Sequence, residues 1–113
     1  MLILFNQGTP FPLRNFLPGH VIKTAYQQGW SGLLNGDLLR VAEEAGFNFL
    51  LTTDKNLAYQ QNLTARKIAI FALGRNRWTL IRPELDRIAA VVNAANPGSY
   101  SLIDIPWKSA SRI

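Results

Sequence analysis

The chain has 113 residues, a mass of 12.7 kDa and a formal net charge of +5, and 48% of its residues are hydrophobic. This length suits one domain, because two separate cores would each bury too little surface. The sequence contains no cysteine, which excludes disulfides, thiolate metal sites and a cysteine nucleophile. No apolar run reaches the roughly 18 residues of a membrane span, and the first residues lack the pattern of a signal peptide. We therefore expect a soluble, cytoplasmic protein with no membrane association, in which residues 1–106 form one domain and residues 107–113 a C-terminal tail.

Apolar runs of strand length alternate with helical patterns along the chain. Strands are predicted over residues 2–5, 20–24, 47–51, 67–73 and 100–105. Helices are predicted over residues 11–17, 35–45, 57–63 and 83–95. Asn35 is the predicted N-cap of the second helix, Gly46 ends it, and Pro83 opens the fourth. This order predicts an α/β fold with a mainly parallel central sheet that is covered on both faces.

Polar side chains follow the apolar runs, where ligand sites form in parallel α/β sheets. In chain order they are Asn6, Gln7, Thr53, Asp54, Asn56, Arg75 and Asn76. Asp37 opens the second helix, so its carboxylate could face the same crevice. Carboxylate and amide oxygens hold hard cations such as Mg²⁺ or Mn²⁺, which could organise a water to attack a phosphodiester. The two carboxylates and several amides at one sheet edge therefore indicate a divalent-cation site.

The same residues also have purely structural interpretations. Asp54 precedes a helical stretch and suits its N-cap. Asp37 lies in the predicted first turn of a helix, where a carboxylate complements the helix dipole. Asn6 and Asn76 suit turn caps, and His20 has no second histidine to complete a zinc site. On the residues alone, both interpretations of the acids stay open.

Six segments occur in order along the chain and together match a known pattern. They cover residues 3–10, 29–30, 35–39, 43–47, 51–57 and 76–78. The most distinctive piece is a strand that runs into Thr52-Thr53-Asp54, followed by Asn56 and Leu57. With these motifs the chain resembles the short PIN-like proteins related to VapC-type toxins, from residue 2 to about residue 105.

The resemblance implies a three-layer α/β/α sandwich with a mainly parallel central sheet. It also implies Mg²⁺- or Mn²⁺-dependent cleavage of RNA, which makes the expected activity that of an endoribonuclease. The implied metal-binding and catalytic positions are Asn6, Asp37 and Asp54, and the supporting positions are Thr53, Asn56 and Asn76. Many such relatives are toxins that pair with a small antitoxin protein, and homodimers are common among them.

Asn6 departs from the family pattern, which has aspartate there as a principal metal ligand. The amide keeps a carbonyl oxygen but lacks a negative charge, so a divalent cation should bind more weakly. One alternative is therefore a catalytically impaired PIN-like protein that binds RNA or an antitoxin. A further alternative is an α/β domain whose acids only cap helices.

Basic residues in or near the predicted loops could contact RNA phosphates without reading the base sequence. The candidates are Arg14, Lys55, Arg66, Lys67, Arg75 and Arg77. The net charge of +5 also fits a polyanionic partner. The alternative for each of these residues is an ordinary solvated surface position.

Overall fold

The computed structural model describes residues 1–54, 66–103 and 105. Within these ranges the strands are β1 (Leu2–Phe5), β2 (Val21–Thr24), β3 (Phe49–Thr52), β4 (Ala69–Ala72) and β5 (Tyr100–Leu102). The helices are α1 (Asn35–Glu44), α2 (Trp78–Ile81) and α3 (Leu85–Ala94), with 3₁₀ helices over Phe11–Phe16 and Arg82–Glu84. The helix predicted over residues 57–63 and the predicted tail over residues 107–113 lie outside the described residues.

The strands form one sheet in the order β2-β1-β3-β4-β5, and each neighbouring pair is parallel. Every residue of β3 and β4 is buried, as expected for central strands covered on both faces. The predicted α/β fold with a mainly parallel sheet is confirmed. From β1 the chain forms β2 on one side of that strand and then returns to form β3 on the other side. The carboxyl ends of β1 and β3 are therefore the switch point, where ligand sites form in such sheets.

The strand side chains divide between two buried clusters. Ile3 and Phe5 belong to a cluster that includes residues of the first 3₁₀ helix, α2 and α3. Leu4 and Leu50 belong to the second cluster, which includes residues of α1. Because successive side chains of a strand point in opposite directions, the two clusters lie on opposite faces of the sheet.

Gly46 ends α1, as predicted. Its φ is +90°, a conformation that glycine adopts without strain. Its backbone N–H donates to the Glu43 carbonyl at 3.1 Å, and the Phe47 N–H donates to the Ala42 carbonyl at 3.0 Å. These two bonds are those of a Schellman motif, in which the buried Phe47 ring follows the glycine.

The predicted N-cap of α1 is wrong by one residue. Leu34 has an extended backbone and its carbonyl accepts the first helical hydrogen bond, from the Leu38 N–H at 2.8 Å. Leu34 is therefore the N-cap, and Asn35 is the first helical residue. The backbone meets the requirement for an N-cap here without a capping side chain.

Helix α2 is not predicted from the sequence, because four residues are too few to display helical periodicity. The turn is held by burial of Ile81 and by the ring of Trp78, whose centroid lies 5.9 Å from that of Phe16. Pro83 lies in the following 3₁₀ helix, and α3 begins two residues later. The predicted position of Pro83 at a helix start is therefore close to the observed one.

Candidate functional site

Asn6 and Asp54 lie just beyond the carboxyl ends of β1 and β3, at the switch point of the sheet. The backbone N–H of Asn6 donates to the Leu51 carbonyl at 2.9 Å, which extends the pairing of β1 and β3 by one residue. Thr52 is the last residue of β3, and Asp54 follows two residues later. Two adjacent parallel strands therefore deliver Asn6 and Asp54 to the same edge of the sheet.

The hydroxyl of Thr52 joins these two segments. Thr52 has no exposed surface and is the one buried polar residue in the described part of the chain. Its Oγ1 accepts hydrogen bonds from Asn6 Nδ2 and from the backbone N–H of Asp54, each at 3.1 Å. Thr53, the predicted supporting residue, is half-buried beside it. Thr52 was not predicted as a site residue. A threonine at the end of an otherwise apolar run could have indicated a buried hydroxyl at this position.

Hydrogen bonds fix the orientation of the Asn6 amide. The backbone N–H of Gln7 donates to Asn6 Oδ1 at 2.8 Å. Because a backbone N–H can only donate, the atom facing it is the amide oxygen, and the nitrogen faces Thr52. Both ends of the amide therefore make hydrogen bonds within the protein. The oxygen keeps a second lone pair for a cation, but it already accepts one proton donor.

The loop that follows β1 packs against the end of β3. The Thr9 N–H donates to the Asn6 carbonyl at 3.1 Å, and the Thr9 hydroxyl donates to the Leu51 carbonyl at 3.2 Å. Gly8 has a φ of +91°, and a Cβ at this position would lie 3.4 Å from Thr53 Oγ1. Glycine therefore satisfies both the backbone conformation and the close approach to β3.

Asp37 reaches the same edge of the sheet from a different direction. It lies in the first turn of α1, and the path from β2 through α1 to β3 places that turn near the carboxyl ends of the strands. Its carboxylate is 59% exposed and lies 3.8 Å from the guanidinium of Arg40. Asp54 is half-buried. Contacts thus gather Asn6, Thr52 and Asp54, whereas Asp37 pairs within its own helix.

No group of three or more His, Asp or Glu side chains that could hold a metal ion occurs among the described residues. The oxygen donors near the switch point are the Asn6 amide and the Asp54 carboxylate, and Asp37 lies in the first turn of α1 near the same ends of the strands. Any cation at this edge would therefore depend on few protein charges.

Three of the predicted phosphate-contacting arginines flank the carboxyl edge. The guanidinium of Arg14 lies 4.1 Å from the centroid of the Phe11 ring, in the first 3₁₀ helix. Arg75 follows β4, and its Nε donates to the Ile105 carbonyl at 3.2 Å. Arg77 is exposed immediately before α2. Arg75 therefore has a structural partner, while Arg14 presents its charge beside an aromatic ring.

The other predicted polar residues are placed differently. Asn76 is exposed between β4 and α2. Lys55 and Asn56 lie outside the described residues. Arg66 and Lys67 precede β4, so they lie at the amino ends of the strands and not at the carboxyl ends. The length of the strands separates these two cations from the switch point.

Glu43, at the end of α1, organises the opposite edge of the sheet. Its carboxylate accepts hydrogen bonds from Arg66 Nη1 at 2.9 Å and from the backbone N–H groups of Lys67 at 2.5 Å and Ile68 at 3.2 Å. Partial burial opposes ionisation, but the hydrogen bonds from these three donors outweigh it and lower the pKa of Glu43. The carboxylate therefore fastens the end of α1 to the segment before β4. The sequence offered no local signal for this pairing.

The described part of the chain has a cleft at each edge of the sheet. The larger cleft, of about 780 Å³, lies beside Glu43 at the amino ends of the strands, which we call the amino edge. A smaller one, of about 420 Å³, lies between the loops that follow β1 and β2, and Asn6 lines it. Ligand sites in parallel α/β sheets form at the carboxyl edge, so position favours the smaller cleft as the functional one.

No protein-family model, curated protein or solved structure matches this chain. Among the described residues, no helix combines the length and the apolar character that crossing a bilayer requires. The resemblance to the short PIN-like proteins therefore stays a prediction from the sequence motifs.

Proposed function

We propose that this chain is a PIN-like, metal-dependent ribonuclease of the toxin type, with an acidic site that is weakened at Asn6. The observation that supports it most directly is the contact set at the switch point, where Asn6 and the backbone of Asp54 both hydrogen-bond to buried Thr52. The two buried clusters on opposite faces of the sheet are compatible with a three-layer α/β/α arrangement. The motifs over residues 3–10 and 51–57 supply the remaining support.

The oxygen donors at this edge suit a hard divalent cation. The carboxylates of Asp37 and Asp54 and the carbonyl oxygen of Asn6 are ligand types that Mg²⁺ and Mn²⁺ prefer. When bound, such a cation would neutralise charge on the phosphodiester and lower the pKa of a water. Two carboxylates and a neutral amide carry one charge fewer than three carboxylates, so we expect weak cation binding.

The chain's own residues have separate roles in this proposal. Thr52 is a positioning residue, since its Oγ1 fixes the Asn6 amide and the backbone at Asp54. The net charge of +5 attracts an RNA polyanion, and Arg14 supplies a cation near the loop that carries Asn6. A small antitoxin partner and a homodimer belong to the proposal through the family resemblance.

Replacement of Asp54 by asparagine tests the proposal. Asparagine caps a helix about as well as aspartate, so Asp54→Asn removes the charge and keeps a capping role. We expect RNA cleavage with Mn²⁺ to fall at least tenfold, in line with an electrostatic contribution of a few kcal/mol. Asp86→Asn is the matched control, because Asp86 is an exposed acid in the first turn of α3.

The comparison of the two variants decides between the interpretations of Asp54. Loss of cleavage in Asp54→Asn alone, with unchanged thermal unfolding, supports a role for the charge. Equal cleavage by the parent, Asp54→Asn and Asp86→Asn would mean that the Asp54 charge has no part in cleavage, and would overturn the proposal.

A second candidate is a PIN-like protein that has lost catalysis and binds RNA or an antitoxin. The specific observation that favours it is the Asn6 amide, whose oxygen and nitrogen both hydrogen-bond within the protein. Calorimetry with Mn²⁺ separates the candidates. If Asn6→Asp binds Mn²⁺ and the parent does not, the binding protein is favoured; tight binding by the parent argues against it.

A further inference from the structure

The smaller cleft has an unusual lining for the surface of a monomer. Its floor is formed by the buried Phe5 and Ala25, and two exposed aromatic side chains, Phe11 and Tyr26, line it. Tyr26 is 80% exposed and Phe11 is 45% exposed. Burying large rings is favourable, so aromatic rings left in water around one cleft indicate a surface that a ligand covers.

Tyr26 is exposed on an ordered turn. The Thr24 N–H donates to Gln27 Oε1 at 2.9 Å, and the Gln27 N–H donates to Thr24 Oγ1 at 3.0 Å. The Tyr26 carbonyl accepts the Gly29 N–H at 3.0 Å. These bonds order the backbone that carries the Tyr26 ring at the mouth of the cleft, which reduces the backbone entropy lost on binding.

The polar groups of the cleft are neutral. Asn6, Gln7 and Gln27 contribute amides, and no charged side chain lines this cleft among the described residues. The carbonyl of the Gln27 side chain accepts the Thr24 N–H, so its NH₂ group is left as a donor without a partner in the described part of the chain. Aromatic faces with amide donors match an uncharged heteroaromatic ring that carries carbonyl or ring-nitrogen acceptors.

Positive charge is present at the rim and not in the cleft. The Arg14 guanidinium lies over the Phe11 ring, 4.1 Å from its centroid, so it covers one face of that ring, and the residue is exposed. From this position its N–H groups can pair with a phosphate next to a base bound in the cleft. The cleft is neutral and its rim is cationic, which fits a base that is linked to a phosphate backbone. The net charge of +5 also favours a polyanion.

We propose that this cleft binds one unstacked base of single-stranded RNA, with Tyr26 as the stacking surface, Phe11 as an apolar wall and Arg14 as the adjacent phosphate contact. The inference rests on the proposed RNA-directed function and gives its site a base-binding subsite. Because Asn6 lines the same cleft, the bound base lies beside the switch point. The neighbouring phosphodiester is thereby brought near Asp54.

Binding of a short, labelled oligouridylate to the full chain tests this subsite. Fluorescence anisotropy is measured in EDTA, so that no divalent cation contributes and no cleavage occurs. We expect Tyr26→Ala to weaken binding at least about fivefold, since loss of one stacking contact has effects of that order. Tyr26→Phe keeps the ring and should bind like the parent. Leu34→Ala is the matched control, because Leu34 is 78% exposed and does not line the cleft.

Two further probes separate the base from the backbone and from a free ligand. An abasic oligonucleotide of equal length keeps the phosphates, and we expect it to bind the parent no better than oligouridylate binds Tyr26→Ala. Uridine alone should bind far more weakly than the oligonucleotide. Equal binding of the intact and abasic strands, or unchanged binding by Tyr26→Ala, would overturn the subsite. Uridine binding as tightly as the oligonucleotide would overturn RNA as the ligand.

Failure of the subsite and failure of the nuclease are distinguishable. Tyr26-dependent binding without cleavage by any variant keeps the subsite and removes the ribonuclease. Cleavage that depends on Asp54 but not on Tyr26 keeps the ribonuclease and removes the subsite.

Discussion

The two edges of the sheet use polar groups in different ways. At the amino edge, the Glu43 carboxylate accepts hydrogen bonds from Arg66 and from two backbone N–H groups. At the carboxyl edge, the neutral hydroxyl of Thr52 accepts the Asn6 amide and the backbone N–H of Asp54. In the first network a carboxylate is the acceptor of all three hydrogen bonds. In the second network the acceptor is a hydroxyl, and Asp54 takes part through its backbone N–H.

The difference between a carboxylate acceptor and a hydroxyl acceptor indicates that the two edges have different roles. A carboxylate that accepts three donors stabilises the junction of α1 and the segment before β4, and it has little capacity left for a ligand. A buried hydroxyl that accepts two neighbouring donors holds the Asn6 amide and the backbone at Asp54 in fixed positions. Variants at Thr52, Glu43 and Asp37 test this division.

Thr52→Val should have the largest effect on stability. Valine matches threonine in shape but removes the acceptor for Asn6 Nδ2 and for the Asp54 N–H, and unpaired donors cost about 1–3 kcal/mol each when buried. We expect a loss of about 2–3 kcal/mol in the free energy of unfolding, measured by urea denaturation. Thr53→Val is the control, because the Thr53 hydroxyl has no hydrogen-bond partner in the described part of the chain. Equal losses in both variants would show that Thr52 does not join the two segments.

Glu43→Gln should destabilise the chain by about 1–2 kcal/mol. The amide keeps one acceptor oxygen, but its NH₂ group must face Arg66 or a backbone N–H, which are all donors. Glu44→Gln is the matched control, since Glu44 is 65% exposed and its ion pair with Arg40 is a surface one. If the two variants unfold at the same urea concentration, the Glu43 carboxylate does not fasten the amino edge.

The stability contributed by Glu43 should also depend on pH. Its pKa is lowered in the folded chain, so the folded state binds the proton less readily than the unfolded state does. The advantage of the parent over Glu43→Gln should be constant above the ordinary pKa of about 4.5 and disappear as the pH falls through the folded pKa. Urea denaturation of both proteins from neutral to acidic pH measures this difference. An advantage that persists unchanged at the lowest pH would contradict the lowered pKa.

The positions of the five strands could be predicted from the sequence because their signals are local. The apolar run over residues 67–73 contains β4, and Gly46 marks the end of α1. The contacts of Thr52 and Glu43 could not be predicted in the same way. Thr52 meets Asn6 across 46 residues, and Glu43 meets Arg66 across 23. Hydrogen bonds between such distant residues leave no periodic pattern in the chain.

The candidate site was predicted in part, from where residues stand relative to the strands. Asn6 and Asp54 follow β1 and β3, and the parallel order of these neighbouring strands brings both residues to one edge. Arg66 and Lys67 precede β4, which places them at the amino edge. Their position before an apolar run could have predicted this placement from the sequence. The orientation of the Asn6 amide was not readable, because it depends on the folded positions of Gln7 and Thr52.

Asp37→Asn should have the smallest effect on stability and decides how far the carboxyl-edge site extends. Its carboxylate is 59% exposed and pairs with Arg40 at 3.8 Å, so we expect a change of less than about 0.5 kcal/mol in unfolding free energy. If Asp37 completes the proposed cation site, calorimetry should nevertheless show weaker Mn²⁺ binding, as in Asp54→Asn. Asp86→Asn also removes an acid from the first turn of a helix, so it controls for loss of the dipole interaction. Mn²⁺ affinity that falls in Asp54→Asn and stays at the parent's value in Asp37→Asn would confine the site to the residues around Thr52, and Asp37 would then act only on its own helix.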